Sequence, residues 1–169
     1  MIIFIIALFL VVLIDQISKI LVLHGIGADE THYLIKDFLY ITKVYNKGAG
    51  WGIGSGSTWL LCLISLVASA LMIYFVIQYK SLIIKNKMLA VAAGLIVGGT
   101  IGNLIDRFLT VIKSREGVVD FIGMWIGNYQ WPVYNIADAA LVVGIIIAFI
   151  ALMINNDKEK SANEEEIHS

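Results

Sequence analysis

Two aspartates frame the stretch whose residue types are best suited to chemistry. The segment from Val118 to Ala139 reads VVDFIGMWIGNYQWPVYNIADA, with Asp120 near one end and Asp138 near the other. A carboxylate in such aromatic, apolar surroundings is costly to desolvate, so two of them that converge would titrate as a coupled pair. One protonated and one ionised carboxyl group can act together as acid and base. The sequence therefore predicts an acid–base site, provided that the fold brings these two side chains together.

The composition indicates what kind of fold must position them. Of the 169 residues, 59% are hydrophobic and only 15% are charged, and the mean hydropathy is +0.86. These values are typical of an integral membrane protein and not of a soluble domain. The formal net charge of -1 and the scattered positive charges argue against a nucleic-acid partner. Cys62 is the only cysteine, which excludes a disulfide framework and a thiolate metal cluster.

Four apolar runs are each long enough to cross a membrane, because a crossing helix needs about 20 residues. We expect the spans at residues 2–23, 59–78, 88–108 and 135–154. A cleavable signal peptide is the alternative for the first run, but Asp15 and Lys19 lie where its apolar core would end. The spans are expected to form one membrane domain over residues 1–155. The charged segment 156–169 is expected to be a disordered cytoplasmic tail.

Three lysines in the connector after the second span predict the orientation of the chain. Lys80, Lys85 and Lys87 lie in this short connector, and short lysine-rich loops stay cytoplasmic. With four spans, both termini are then cytoplasmic, and the loops at 24–57 and 109–134 face outward. The first of these loops is predicted to form short strands followed by a glycine-rich turn. The polar helix ends are therefore expected to meet on the outer side of the membrane.

Polar residues at these helix ends have structural as well as functional interpretations. Asp15 and Lys19 are four residues apart, so they share one helical face and can neutralise each other inside a bundle. Asn135 is a good N-cap for the fourth span, and Asp138 three residues later would complement the helix dipole. Asp120 has no such structural explanation, because its neighbours are apolar on both sides.

The third span carries a polar face of its own. Gly99, Asn103, Asp106 and Arg107 follow spacings of three and four and therefore share one face. The alternative interpretation is close helix packing by the glycines together with an interfacial anchor formed by Asp106 and Arg107. Asn103 is not explained by this alternative, since a two-sided hydrogen-bonding amide has no evident use in lipid.

Motifs for several other chemistries do not occur in the sequence. It contains no HExxH, no GxSxG and no paired cysteines, so zinc hydrolysis and a serine nucleophile have no support. The stretch NKGAGWG lacks the GK[ST] ending of a phosphate-binding loop, and a flexible turn is its simpler interpretation. We expect neither a metal ion nor an organic cofactor.

Five short motifs follow one another along the chain: DQISK, NKGAGWG, GGTIGNLIDR, VVDF and YNIADA. In this order on a four-span chain, they make the sequence resemble the bacterial lipoprotein signal peptidases, the signal peptidase II family. The resemblance implies an all-α membrane protein of four transmembrane helices with a small extracytoplasmic β-sheet and a short interfacial helix. It also implies an aspartyl endopeptidase that removes the signal peptide of a prolipoprotein by cleaving before a diacylglyceryl-modified cysteine.

The resemblance assigns roles residue by residue. Asp120 of VVDF and Asp138 of YNIADA are the implied catalytic dyad, which activates a water molecule. The implied substrate-binding or site-supporting positions are Asp15, Lys19, Asn46, Gly99, Asn103, Arg107 and Asn135. The implied partners are the diacylglyceryl-prolipoprotein and membrane lipid, and we expect a monomer in the bacterial cytoplasmic membrane.

Three positions beside the motifs depart from the family pattern. The family more often has alanine where Gly50 and Thr100 stand, and phenylalanine where Tyr134 stands. These are size changes that leave both aspartates in place, so they bear on loop shape and substrate fit and not on the chemistry.

Two other classes of protein could use the same residues. A proton-coupled transporter or channel would need acidic groups at several depths, but the cytoplasmic halves of the four spans have none. In a structural protein, Asp15 with Lys19 and Asp106 with Arg107 would only pair helices, which leaves Asp120 unexplained. The peptidase interpretation accounts for more of the polar residues than either alternative.

Overall fold

The structure is a computed structural model that describes residues 1–27, 30–48 and 57–168, with side chains described up to Asn155. Its helices are α1 (Ile2–Gly25), α2 (Thr58–Gln78), α3 (Lys80–Lys85), α4 (Lys87–Val111) and α5 (Ile136–His168). Its strands are β1 (Thr31–Ile35), β2 (Leu39–Asn46), β3 (Val118–Ile126) and β4 (Tyr129–Tyr134). The protein is therefore a helical bundle with a small sheet at one end.

Four helical segments have the length and hydropathy needed to cross a membrane. They are Ile2–Gly25, Thr58–Gln78, Lys87–Val111 and Ile136–Asn155. Each agrees with a predicted span to within three residues at either end, so the four-span prediction is confirmed. Large apolar side chains such as Phe9, Leu66 and Phe149 are exposed on their outer faces. In a membrane these faces contact lipid, which removes the cost of exposing them to water.

Helix α4 lies at the centre of the bundle, and its glycines make this possible. A Cβ atom at Gly98 would lie 2.9 Å from the backbone oxygen of Leu8 in α1. A Cβ atom at Gly99 would lie only 2.4 Å from the backbone oxygen of Ala137 in α5. The backbones approach too closely for any larger residue, so the predicted packing role of the glycines is confirmed. The first turn of α5 is thereby held against α4.

The four strands form one antiparallel sheet in the order β1-β2-β3-β4. The strands predicted in the first loop are present. The segment after Phe121 forms the hairpin of β3 and β4, and the short interfacial helix that the resemblance implies does not lie there. Gly127, with φ +61°, lies in the two-residue turn between these strands, a conformation that favours glycine. The short helix of the structure is α3, in the connector between α2 and α4.

The sheet packs on one end of the bundle through a small apolar core. Val119 and Phe121 of β3 are buried against Val22 of α1, and Ile136 at the start of α5 packs beside them. Because Asp120 lies between the two buried residues of β3, this packing also fixes where its side chain can point.

Helix α5 continues past its membrane span to His168, over a segment for which we expected a disordered tail. The segment NDKEKSANEEEIH at residues 156–168 contains neither glycine nor proline and is rich in glutamate and lysine. Such residues favour a helix, so nothing in this sequence ends α5. The cytoplasmic location of this segment stays a prediction.

The close approach at Gly99 leads to a test of the fold. Gly99→Ala is expected to destabilise the protein by about 1–3 kcal/mol, because the added methyl group overpacks the contact with α5. Gly25→Ala is the matched control, since a Cβ atom there would have no neighbour within 4 Å. Thermal unfolding in detergent micelles measures both. Equal melting temperatures for the two variants would contradict the packing described here.

Candidate active site

Asp120 is held by two side-chain amides at the junction of the sheet and the bundle. It lies in β3 directly opposite Val44 of β2, and only 3% of its surface is exposed. Asn46, two residues further along β2, lies on the same face and donates from Nδ2 to Oδ2 of Asp120 at 3.0 Å. Asn135 donates from Nδ2 to Oδ1 at 2.6 Å. Both oxygens of this buried carboxylate therefore accept a hydrogen bond.

Asp138 lies in the first turn of α5, where it completes a reciprocal cap with Asn135. The backbone N–H of Asn135 donates to Oδ2 of Asp138 at 3.2 Å, and the backbone N–H of Asp138 donates to Oδ1 of Asn135 at 3.0 Å. The capping interpretation of these residues is thus correct. It does not exclude a chemical role, because Oδ1 of Asp138 also accepts a hydrogen bond from Nδ2 of Asn103 at 2.7 Å.

Two amides connect the two carboxylates. The Nδ2 group of Asn135, which bonds to Asp120, also donates to Oδ1 of Asn103 at 3.1 Å. Asn103 in turn donates to Asp138. Asp120 and Asp138 are 18 positions apart in the sequence and belong to different elements, yet they share one hydrogen-bonded network. Of the nine residues selected from the sequence, five lie in this network: Asn46, Asn103, Asp120, Asn135 and Asp138.

The surroundings of Asp120 favour its protonated form. Burial, followed by the nearby charge of Asp138, raises the pKa of Asp120 to about 7, against the opposing effect of the bonds from Asn46 and Asn135 and the charge of Lys19. Near neutral pH the protonated and the ionised form of this carboxyl group are therefore both populated. A carboxyl pair that carries one proton at neutral pH can act as an acid and a base in one step.

A second polar cluster lies directly behind the carboxylates. Lys19 is completely buried, and its Nζ lies 2.7 Å from Oδ2 of Asp15 and 2.7 Å from Oδ2 of Asp106. Lys19 also donates to Oδ1 of Asn103 at 3.2 Å. Asp15 accepts a hydrogen bond from the backbone N–H of Ala137 at 2.9 Å. The predicted pairing of Asp15 with Lys19 is present, and it contacts both α4 and the start of α5.

The alternative that pairs Asp106 with Arg107 is wrong, because Asp106 pairs with Lys19 and with Arg115. Sequence reasoning assigned no role to two other members of this cluster, Gln16 and Arg115. Gln16 donates to Oδ2 of Asp15 at 3.0 Å and to the backbone oxygen of Gly102 at 3.1 Å. Asp106 lies one helical turn after Asn103, so its proximity to the site could have been inferred. Arg115 follows the end of α4, and no spacing in the sequence indicates its partner.

Two of the selected residues lie apart from the carboxylate network. Arg107 faces α2 and donates from Nη1 to Oγ of Ser65 at 3.0 Å, so it does not share a face with Asp106. Its buried Nε has no hydrogen-bond partner among the residues that the structure describes. Gly99 contributes through close helix packing, as described above. Residues 49–56, which include Gly50 and the rest of NKGAGWG after Gly48, lie outside the described residues.

An apolar cavity of about 350 Å³ opens beside Asp138. Its walls come from the hairpin and the outer face of α5, and the other lining residues are Met124, Trp131, Tyr134, Ala139, Val142 and Val143. In the described part of the chain, no group of three or more histidine, cysteine or acidic side chains could hold a metal ion. The arrangement thus joins a polar pair of carboxylates to an apolar surface.

This fold and site define a multi-pass membrane protein in which a buried and a half-buried carboxylate share one hydrogen-bonded network at one end of the helical bundle. The family described as Signal peptidase (SPase) II matches residues 7–154. The lipoprotein signal peptidase of Bacillus pumilus (strain SAFR-032) is 38% identical over 154 residues, which cover 91% of this chain and 94% of that protein. The chain belongs to the signal peptidase II family and is therefore a membrane-bound peptidase.

Two solved structures of bacterial membrane enzymes, both obtained by the in meso method, are similar in fold. One has a TM-score of 0.77 and 34% identity, and covers 92% of this chain and 90% of the other. The second has a TM-score of 0.73 and 36% identity, and covers 88% of this chain and 91% of the other. The likeness therefore includes both the helices and the sheet.

The raised pKa of Asp120 predicts how stability depends on pH. An unfolded aspartate titrates near 3.8 and Asp120 in the folded protein near 7, so the folded state binds the extra proton between these values. The free energy of unfolding should therefore fall as pH rises from about 4 to about 7. In the Asp120→Asn variant, which has no carboxyl group at this position, this decrease in the free energy of unfolding should be absent. Chemical unfolding in micelles at a series of pH values compares the two, and identical pH slopes would contradict the raised pKa.

Proposed function

We propose that the protein is a membrane-embedded aspartyl endopeptidase that acts on diacylglyceryl-modified prolipoproteins. It removes the signal peptide by cleaving before the lipidated cysteine. Membership of the signal peptidase II family and a relative named lipoprotein signal peptidase support the substrate. The observation that carries the proposal is the network in which Asn103 and Asn135 connect Asp120 to Asp138.

The reaction begins with a pair of carboxyl groups that shares one proton. The ionised member takes a proton from a water molecule, and the oxygen of that water attacks the carbonyl carbon of the scissile peptide bond. The protonated member donates a hydrogen bond and then its proton toward the carbonyl oxygen. Collapse of the tetrahedral intermediate breaks the C–N bond as the carboxyl group that took the proton from water passes it to the leaving amine. The other carboxylate takes back a proton from a hydroxyl group of the intermediate, which restores the pair with its single proton. No metal ion or organic cofactor takes part.

The raised pKa of Asp120 supports its role as the protonated member near neutral pH. Asp138 is more accessible, being half-buried beside the cavity, and it would serve as the base. Because the two sites interact, the proton belongs to the pair, and the pH dependence reports the titration of the pair. Asn46, Asn103 and Asn135 hold the carboxylates in position, and Asp15 and Lys19 brace the first helix. Arg107 supports the site indirectly, because its bond to Ser65 ties α4 to α2.

The apolar cavity beside Asp138 suits the apolar part of such a substrate. Its lining of Met124, Trp131, Val142 and Val143 can contact the signal peptide or the acyl chains, while the peptide bond reaches the carboxylates. Since the diacylglyceryl chains stay in the bilayer, the site lies at the membrane surface. The lysine-rich connector supports cytoplasmic termini and an extracytoplasmic site. The protein acts as a monomer in the bacterial cytoplasmic membrane.

A proton-conducting function has less support. The charged residues of the described spans lie toward the end of the bundle that carries the sheet, from Asp15 in α1 to Asp138 in α5. Lys87, at the start of α4, is the exception in these spans. A relay needs ionisable groups along the whole path through the membrane. Within the four described membrane spans, the opposite half of the bundle offers no acidic group for such a path.

Conservative replacement of either aspartate tests the proposal. Asp120→Asn and Asp138→Asn should fold and insert normally but process no prolipoprotein, since each removes one half of the acid–base pair. Asp37→Asn is the matched control, because Asp37 is exposed in the β1–β2 turn with φ 58°, a conformation that asparagine adopts readily. Gel-shift assays with a purified prolipoprotein measure the processing. Normal turnover by either dyad variant would rule out this mechanism.

The substrate class is tested with matched substrates. The purified protein is incubated with diacylglyceryl-modified and unmodified forms of one prolipoprotein, each with and without a chelator. We expect cleavage of the modified form alone, at the same rate with the chelator. Equal cleavage of the unmodified form would contradict the requirement for the lipid, and loss of activity with the chelator would contradict metal-free catalysis.

The activity should decline as pH rises through about 7, the pKa of Asp120. Above this pH the pair loses its single proton, and no acid remains to assist the carbonyl oxygen. The kcat/KM of the wild-type protein between pH 5 and 9 shows this limb. A rate that keeps rising up to pH 9 would contradict a protonated carboxyl group in the mechanism.

A further inference from the structure

Asp106 joins three parts of the protein at a completely buried position. Its Oδ2 atom lies 2.7 Å from Nζ of Lys19 in α1 and accepts a hydrogen bond from the backbone N–H of Val119 in β3 at 3.4 Å. Its Oδ1 atom accepts a hydrogen bond from Nη1 of Arg115, in the connector between α4 and β3. Asp106 itself belongs to α4. One carboxylate thereby joins the bundle to the strand that carries Asp120.

Arg115 reaches this carboxylate from outside the membrane-spanning segments. Its side chain is 11% exposed, although the connector around it is largely exposed. The same Nη1 atom lies 3.5 Å from Oε1 of Gln16, which also contacts Asp15. The side chain of Arg115 thus contacts both Asp106 and Gln16 of the cluster.

The buried cluster is balanced in charge only when Arg115 is included. Asp15 and Asp106 contribute two negative charges, and Lys19 and Arg115 contribute two positive charges. Without the arginine, a net negative charge would remain directly behind the carboxylate network. Uncompensated buried charge acts over distance, since little water screens it.

We propose that Arg115 and Asp106 are positioning residues for the proposed acid–base pair. The ion pair between them fixes β3 against α1 and α4, so that Asp120 stays within reach of Asn135. It also keeps the charge behind the pair at zero, which sets the pH range over which the pair holds one proton. The predicted effect on the reaction rate rests on the proposed function. The predicted effect on the pKa of Asp120 does not.

Charged groups on every neighbouring element belong to this balance. Asp15 and Lys19 face Asp106 from α1, and Arg115 faces it from the connector. Asp120 lies beyond Val119 on β3, and Asp138 lies at the start of α5. The remaining charged groups nearby point away: Arg107 bonds to Ser65 of α2, and Lys113 and Glu116 of the connector are exposed.

The test compares Arg115→Gln with the matched variant Lys113→Gln, which removes an exposed cation from the same connector. Arg115→Gln should lower kcat by about tenfold, the scale found for side chains that orient metal ligands. It should also raise the pKa of Asp120, because the cluster of Lys19, Asp15 and Asp106 is then left with a net negative charge. The descending limb of the pH profile should move upward by about half a unit to one unit. Lys113→Gln should leave both unchanged.

Two further variants separate charge balance from simple loss of packing. Arg115→Lys keeps the positive charge, so the descending limb of the pH profile should stay near its wild-type pH. Its kcat should lie between that of Arg115→Gln and that of the wild-type protein. The double variant Asp106→Asn with Arg115→Gln restores a balanced cluster, so its limb should also return toward the original pH. A purely structural role predicts that the double variant is at least as perturbed as Arg115→Gln.

A direct titration keeps this inference separate from the proposed function. The pKa of Asp120 is measured by carbon-13 NMR of the labelled aspartates in unliganded protein, where no activity is needed. A rise in Arg115→Gln that reverts in the double variant supports the inference, whatever reaction the protein catalyses. An unchanged pKa in Arg115→Gln, or an equal change in Lys113→Gln, would overturn it.

Discussion

The hydrogen bond from the Asn135 amide to Asp120 is the interaction on which the rest of the structure depends. It ties the first turn of a membrane helix to a strand of the sheet, and the same residue caps that helix together with Asp138. A buried carboxylate without such a donor would cost several kcal/mol. The close approach at Gly99 and the sheet packing through Val119 bring the two partners together. The bundle and the sheet are thus parts of one site.

The polar residues are arranged in two groups with different tasks. Asp138 of the carboxylate pair lines the apolar cavity, and Asn103 and Asn135 connect it to the buried Asp120. Behind them, Lys19 and its acidic partners Asp15 and Asp106 are completely buried, and Arg115 completes the balance of charge. Ion pairs of this kind add little net stability, because desolvation offsets their attraction. Their use here is to fix geometry, since Lys19 also bonds to Asn103, which holds Asp138.

The sequence predicted the four spans well, because each apolar run has the length of a bilayer and a distinct boundary. The hairpin at β3 and β4 was harder to predict. In VVDF all four residues are buried, so the alternation that marks a half-exposed strand is missing. The convergence of Asp120 and Asp138 followed from topology and family resemblance and not from any spacing. The pairing of Arg115 could not be predicted, because Arg115 lies beyond the turn that ends α4 and reaches back to Asp106 inside the helix.

The central claim is that Asp120 and Asp138 interact as one acid–base pair. The most direct measurement is the pKa of Asp120 by carbon-13 NMR of the labelled aspartates, in the wild-type protein and in Asp138→Asn. The account predicts a pKa of about 7 in the wild-type protein and a lower value in the variant, since the neighbouring negative charge is removed. The same pKa in both proteins would contradict it.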